Sequence, residues 1–229
     1  MKNRIIEIRR AKHWLNALLL FALAINSATP AKLNAALDTQ VKATQPVATT
    51  NAPKPRKVGE PSLVPITDEP GLPRVLLIGD SISMGYTLPV RARLKGQANV
   101  HRIPTNGGST KDGVAHIDEW LGSGKWDVIH FNWGLHDLKH LKDGKLDLAG
   151  EQVSTLAEYE ANLRALVKRM QATGAKLIWA TTTPVPEGAE GRVGHDELKY
   201  NAVARRVMKD LGVPTDDLHA WCLPKLAEW

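Results

Sequence analysis

The chain of 229 residues contains one cysteine, Cys222, and aromatic residues make up only 5% of it. A single cysteine cannot form an internal disulfide, and the lack of cysteine pairs excludes a disulfide scaffold and a zinc ribbon. The sequence has no G-x-G-x-x-G or P-loop motif for holding phosphates. It also has no apolar run of the roughly 20 residues that a membrane-spanning helix needs. With 43% hydrophobic residues, the fold must depend on a packed core.

The formal net charge of +6 is unevenly distributed along the chain. Residues 1–73 hold 10 Lys and Arg against 5 Asp and Glu, whereas residues 74–229 hold 20 against 19. A domain that binds nucleic acid carries its basic residues on the folded part. The charge distribution therefore argues against a nucleic-acid partner.

The N-terminal residues 1–31 have the pattern of a secretory leader. Five basic residues precede the apolar run Leu15–Ile25, and small residues follow it. We expect a signal peptide or an N-terminal anchor here, and export of the rest to the periplasm or the exterior. After cleavage, no stable membrane insertion is expected. Residues 32–73 are rich in Pro, Ala and Thr and predict a flexible linker.

Residues 74–229 alternate strand-like and helix-like segments. Short apolar runs predict four strands, at Arg74–Gly79, Asn99–Ile103, Trp126–Asn132 and Ala175–Thr181. Thr155 and Glu158 form a capping-box pattern before an amphipathic helix that stops at Gly174. A second helix is predicted from Asp196, as its N-cap, to Gly212. This alternation predicts an α/β domain with three layers, α/β/α, around a parallel sheet of about five strands.

Three candidate functional residues follow predicted strands, where the loops of a parallel sheet carry function. Ser81 lies in Gly-Asp-Ser after the first strand, Gly108 in Asn-Gly-Gly-Ser-Thr after the second, and His136 in Gly-Leu-His-Asp after the third. Two backbone N–H groups and an imidazole N–H are suitable donors to an oxyanion. Taken singly, each also has a structural interpretation, as an N-cap serine, a turn or a core histidine. His136 and His140 have zinc-ligand spacing but lack a third ligand in register, so no metal is predicted.

These blocks together resemble the SGNH (GDSL-type) hydrolases, a family of esterases and acetylesterases. The resemblance covers residues 74–229 and rests on VLLIGDSISMGY, NGGST and GLHD, where His136 replaces the usual Asn. It implies a flavodoxin-like fold and Ser81 as the nucleophile. The implied oxyanion hole consists of Ser81, Gly108 and His136, and no cofactor is implied. The implied partner is a small-molecule or carbohydrate ester substrate.

The family's general base is a histidine in an Asp-x-x-His block near the C terminus. Asp216 and His219 fit this spacing, and ten residues follow His219. Two interpretations are open. Either Asp216 and His219 are the catalytic dyad, or Val213–Asp217 is the fifth strand and the true block lay beyond Trp229 in a longer chain. His195 is a third, remote candidate for the base.

The expected function is that of an exported serine esterase that removes acyl groups, acetyl in the simplest case. The alternative is a non-catalytic or truncated protein of the same fold that binds carbohydrate or is vestigial. Trp133, next to the third strand, is the tryptophan that we consider for stacking on a sugar. The other tryptophans near predicted elements are expected to pack in the core.

Overall fold

The computed structural model describes residues 60–228. The predicted leader and residues 32–59 of the predicted linker lie outside the described residues. Within the described part, the strands are β1 Arg74–Ile78, β2 Asn99–Arg102, β3 Val128–Phe131, β4 His140–Lys142, β5 Lys145–Leu146, β6 Glu151–Gln152, β7 Lys176–Ala180 and β8 Thr215–Asp216. The α-helices are α1 Ser81–Arg93, α2 Thr110–Leu121, α3 Leu156–Gln171, α4 Asp196–Asp210 and α5 Leu218–Cys222. Short 3-10 helices cover Pro61–Leu63 and Leu223–Glu228.

The main sheet has five strands in the order β2-β1-β3-β7-β8, and every neighbouring pair is parallel. The prediction of an α/β fold with a five-stranded parallel sheet is confirmed. From β1 the chain continues to β2 at one edge of the sheet, and it then crosses to β3 on the other side of β1. The strand order therefore reverses between β1 and β3. Crevices for ligands form at the carboxyl ends of the strands at such a point.

The apolar strands bury both faces of the sheet. Along β1, Leu76 and Ile78 point into one core, whereas Val75 and Leu77 point into the other. Helices α2, α3 and α4 cover the first face, and α1 with the short α5 contributes to the second. Alternate side chains of a strand lie on opposite faces, and for this reason the strands appear in the sequence as nearly continuous apolar runs.

The capping box predicted before α3 is present. The Thr155 hydroxyl accepts a hydrogen bond from the Glu158 N–H, and the Glu158 carboxylate accepts one from the Thr155 N–H. The predicted cap of α4 was wrong by one residue. His195 is the N-cap, with a left-handed φ of 66° and no side-chain capping bond, and Asp196 is the first helical residue.

Among the features that were not predicted from the sequence are two with local sequence signals. One is helix α2, which begins with a capping box between Ser109 and Asp112. The other is a small antiparallel sheet in the order β5-β4-β6. Its tight turn is Asp143-Gly144, with φ of 51° and 75°. Asp-Gly at two positions of positive φ is a strong hairpin signal, so this hairpin was readable from the sequence.

Residues 60–73, which the sequence assigned to the linker, pack against the domain. Ser62 is buried. The Asn99 side chain at the start of β2 accepts a hydrogen bond from the Glu69 N–H (2.8 Å) and donates one to the Glu69 carbonyl (3.0 Å). The packed structure therefore includes this part of the predicted linker. Over residues 60–228, none of the helices is long and apolar enough to cross a membrane.

Candidate functional site at the carboxyl ends of the sheet

Ser81 lies at the turn between β1 and α1. Asp80 is the N-cap of α1, and its side chain accepts a hydrogen bond from the Ile82 N–H at 2.9 Å. Ser81 is therefore the first helical residue, and its side chain is exposed. Among residues 60–228, the Ser81 hydroxyl has no hydrogen-bond partner. This position at a helix N-terminus suits a group that binds or carries negative charge.

The Gly108 loop lies beside this turn. The Gly107 N–H donates to the Gly79 carbonyl at 2.9 Å, which ties the loop to the end of β1. Gly108 has a φ of 57°, and a Cβ there would lie 2.3 Å from an Asp112 carboxylate oxygen. The Gly108 N–H donates to the Asn106 side-chain oxygen at 2.9 Å. An oxyanion would have to replace this oxygen as the acceptor of the Gly108 N–H.

Trp133 supports the Gly108 loop from the core of the domain. Its indole N–H donates to the Gly107 carbonyl at 3.1 Å, and its ring is fully buried. A Cβ at Gly113 in α2 would lie 2.8 Å from this ring. Trp133 is thus a core residue that supports the loop. The idea that it stacks on a sugar is wrong, because its faces are not accessible.

His136 lies half-buried in the turn after β3. Its Nδ1 lies 3.5 Å from the Lys139 ammonium. Burial lowers the pKa of His136, and the nearby Asp80 carboxylate opposes this shift. The cations of Lys139 and Arg192 lower the pKa further. The imidazole is therefore neutral at pH 7, and an ammonium beside Nδ1 favours the proton on Nε2, where it can be donated to a substrate.

Asp137, the next residue, anchors the turn. Its carboxylate accepts hydrogen bonds from the Thr110 N–H (3.0 Å) and the Thr110 hydroxyl (2.5 Å). Burial raises the pKa of Asp137 to about 6, although these hydrogen bonds favour the charged form. The turn that carries His136 is thereby fixed to the N-terminus of α2.

The two residues of the predicted dyad bond to different partners. An Asp216 carboxylate oxygen lies 3.1 Å from Nε2 of His130, a fully buried residue of β3. His219 lies in α5, and its Nε2 is 3.3 Å from a carboxylate oxygen of the buried Glu197. The structure does not bring Asp216 to His219 by a hydrogen bond, nor His219 to Ser81. The role of His219 as the base stays a prediction.

Arg102 is a site residue that the sequence analysis missed. It ends β2, is 9% exposed, and donates five hydrogen bonds to groups around the Ser81 turn and the loop toward Gly108. An arginine at the end of a buried strand, a few residues from a glycine pair, was the available signal. Its partners, however, lie on two separate loops and could not be read from the sequence.

The small antiparallel sheet borders the site on one side. The His140 N–H donates to the Gly191 carbonyl at 2.7 Å, and the Arg192 guanidinium donates to the Leu135 carbonyl at 3.0 Å. These contacts place Arg192 next to the turn that carries His136. Within residues 60–228, no three His, Cys, Asp or Glu side chains converge closely enough to hold a metal ion.

Solved structures with this architecture include several esterases. An acetyl xylan esterase, AlAXEase, superposes with a TM-score of 0.56 at 17% identity, over 68% of this chain and 82% of that protein. An acetylxylan esterase from Geobacillus stearothermophilus gives 0.52 at 19% identity, over 65% and 77%. An alpha/beta hydrolase from the metagenome of Lake Arreo, LAE5, gives 0.51 at 20% identity, over 65% and 78%. The chain shares their fold. No protein-family model and no curated protein matches the sequence.

Proposed function

We propose that this protein is a serine ester hydrolase of the SGNH type that acts on acyl esters with Ser81 as its nucleophile. The observation that carries the proposal is the meeting of the Ser81 turn, the Gly108 loop and the His136 turn at one end of the sheet. Two hydrogen bonds support this arrangement, from Gly107 to the Gly79 carbonyl and from Trp133 to the Gly107 carbonyl.

In the proposed reaction, the Ser81 Oγ attacks the ester carbonyl carbon while its proton passes to a general base. The carbonyl oxygen becomes an oxyanion that accepts hydrogen bonds from the Ser81 N–H, the Gly108 N–H and His136 Nε2–H. The tetrahedral intermediate collapses, the alcohol leaves with the proton from the base, and an acyl-serine remains. Water, deprotonated by the same base, then releases the acid and restores Ser81.

His219 is the proposed base among the described residues. Its backbone N–H donates to the Thr181 hydroxyl at 2.8 Å, beyond the end of β7, which places it at the same end of the sheet as the site. Glu197 would orient its imidazole in the role that the sequence assigned to Asp216, since Glu197 is the carboxylate that contacts it.

An acetylated carbohydrate is the proposed substrate class. Three considerations support it: the export expected from residues 1–31, the resemblance to acetylesterases, and the fold shared with proteins described as acetyl xylan esterases. We infer export to the periplasm or exterior from the leader-like pattern of residues 1–31.

The test is hydrolysis of p-nitrophenyl acetate by the full chain, together with labelling of Ser81 by a fluorophosphonate. We expect Ser81→Ala to lose about 10³-fold or more in kcat and to lose the label. If His219 is the base, His219→Ala lowers kcat by about 10³-fold or more. His116→Ala is the matched control, because His116 is an exposed histidine of α2. Wild-type hydrolysis equal to that of Ser81→Ala would contradict the proposal.

The second candidate function is a non-catalytic protein of this fold that binds carbohydrate. The observation that favours it is the Ser81 hydroxyl, which has no base within hydrogen-bond distance among residues 60–228. This alternative predicts that an acetylated xylo-oligosaccharide binds equally well to the wild type and to Ser81→Ala. It also predicts that the fluorophosphonate leaves Ser81 unlabelled.

A further inference from the structure

Arg102 is a buried arginine that the proposed reaction does not use. It is the last residue of β2, on the edge strand beside β1, and only 9% of it is exposed. Burying a guanidinium is costly unless its donors are paired. Arg102 pairs its two terminal nitrogens with five acceptors, four of which are backbone carbonyls, whereas its buried Nε has no hydrogen-bond partner among the described residues.

One terminal nitrogen of Arg102 donates hydrogen bonds to the turn that carries Ser81, the proposed nucleophile. Arg102 Nη2 donates to the carbonyls of Gly79 and Asp80, both at 2.9 Å, and to the Ser83 hydroxyl at 2.7 Å. The two carbonyls directly precede Ser81 along the chain, and Ser83 follows it by two residues. One nitrogen is therefore bonded to the backbone before Ser81 and to the side chain of Ser83 after it.

The other terminal nitrogen donates hydrogen bonds to the segment that leads to Gly108. Arg102 Nη1 donates to the carbonyls of Ile103 at 3.1 Å and Thr105 at 2.7 Å. The Gly107 N–H donates to the Gly79 carbonyl, and the same carbonyl accepts a hydrogen bond from Arg102. This shared acceptor links the Gly108 loop to the Ser81 turn. A single planar guanidinium thus joins the two segments that carry the Ser81 and Gly108 N–H groups.

We propose that Arg102 is the positioning residue of the oxyanion hole, fixing the Ser81 N–H relative to the Gly108 N–H. This inference rests on the proposed function, since it assigns those two N–H groups to one oxyanion. Two donors stabilise a developing charge only when both point at the same place before the reaction begins. A shift of either loop weakens transition-state binding and leaves substrate binding, which depends less on these donors, largely intact.

Lysine cannot replace Arg102 in this role. Its ammonium is a single point with three donors, whereas the acceptors lie on two sides of a flat group with a fixed fork. A lysine at position 102 reaches the Ser81 turn or the Gly108 segment, but not both. Arg102→Lys therefore keeps the positive charge but cannot bond to the Ser81 turn and the Gly108 segment at the same time.

The experiment compares Arg102→Met and Arg102→Lys with the control Arg91→Met, using p-nitrophenyl acetate. Arg91 is a partly buried arginine of α1 that donates to the Val100 carbonyl at 3.0 Å, at the helix end away from Ser81. We expect both Arg102 variants to lose about 100-fold in kcat with KM changed less than about threefold. Arg91→Met should keep kcat within about twofold of the wild type.

Hydrogen exchange of the Gly107 amide is the second measurement, and it does not depend on activity. Its hydrogen bond to Gly79 should open more often in Arg102→Met, with exchange about tenfold faster or more, and remain unchanged in Arg91→Met. Unchanged exchange, or kcat equal to that of Arg91→Met, would overturn the inference. A wild type without Ser81-dependent hydrolysis would instead refute the proposed function. The inference about the oxyanion hole would then fall with it, even if Gly107 exchange responds to Arg102.

Discussion

His136 stands where the SGNH resemblance expects an asparagine, and its surroundings make it a suitable substitute. Burial and two nearby cations lower the pKa of His136 and favour the neutral imidazole, and the Lys139 ammonium beside Nδ1 favours the tautomer with the proton on Nε2. An asparagine Nδ2–H and the Nε2–H of a neutral histidine are both uncharged hydrogen-bond donors. The exchange of one for the other thus preserves the chemistry proposed for the third donor.

This equivalence gives a prediction for His136. We expect His136→Asn to keep kcat for p-nitrophenyl acetate within about tenfold of the wild type, because the donor is retained. His136→Ala should lose about 10² to 10³-fold, the usual effect of removing one oxyanion donor. Steady-state kinetics of both variants, with circular dichroism to check folding, make the comparison. Equal loss in the two variants would mean that donation by residue 136 does not contribute to the reaction.

At the scale of the elements, Asp137 links the turn after β3 to the N-terminus of α2. In the folded protein its pKa is raised to about 6, whereas an unfolded aspartate has a value of about 3.9. Between these values the folded protein binds the proton more tightly than the unfolded chain does. The contribution of this group to the free energy of unfolding is therefore complete below pH 4 and is lost as the pH rises through 6.

The corresponding prediction concerns Asp137→Asn. Two pKa units correspond to about 3 kcal/mol, and asparagine has no charge to lose or gain. From pH 4 to pH 7, the free energy of unfolding of Asp137→Asn should therefore rise by about 3 kcal/mol relative to the wild type. Urea unfolding at each pH measures the difference. Asp118→Asn, at an exposed position of α2, is the control, and a parallel pH course in both variants would contradict the assignment.

The sequence predicted the elements whose signals are local. The runs at β1, β3 and β7 are apolar because both faces of those strands are buried. The Thr155 capping box marked the start of α3 because it involves residues three apart. The start of α4 was misplaced because Asp196 is a good capping residue in isolation. In the fold, the Asp196 side chain instead accepts hydrogen bonds from Gln152 and Lys199.

The site was less predictable than the fold, because its contacts join distant segments. Asp216 is 86 residues from His130, and His219 is 22 residues from Glu197. The Asp-x-x-His spacing suggested that Asp216 and His219 face each other, but β8 ends at Asp216 and α5 starts at Leu218. The change from strand to helix sends the two side chains to different partners. No local pattern contains that information.

At the scale of the whole domain, residues 60–228 cover the two faces of the sheet unequally. Three long helices pack on one face, whereas α1 and the five-residue α5 are the α-helices that contribute to the other core within the described residues. Among the described residues, the second face retains an apolar groove of about 340 Å³, lined by side chains that include Val75, Leu94, Val128 and Ile178. The groove lies beside Pro73, just before β1, and so at the end of the sheet opposite the proposed site.

This groove predicts that the folded protein binds an apolar dye. Anilinonaphthalene sulfonate binds exposed apolar surface, and its fluorescence increases there. We expect enhanced fluorescence with the native protein and a clear decrease in Ala98→Glu, because Ala98 lines the groove and a carboxylate there is unfavourable for the dye. Ala92→Glu, on the exposed face of α1, should bind as the wild type does. Since the groove lies away from Ser81, dye binding should leave esterase activity unchanged, and inhibition by the dye would show that the two sites are coupled.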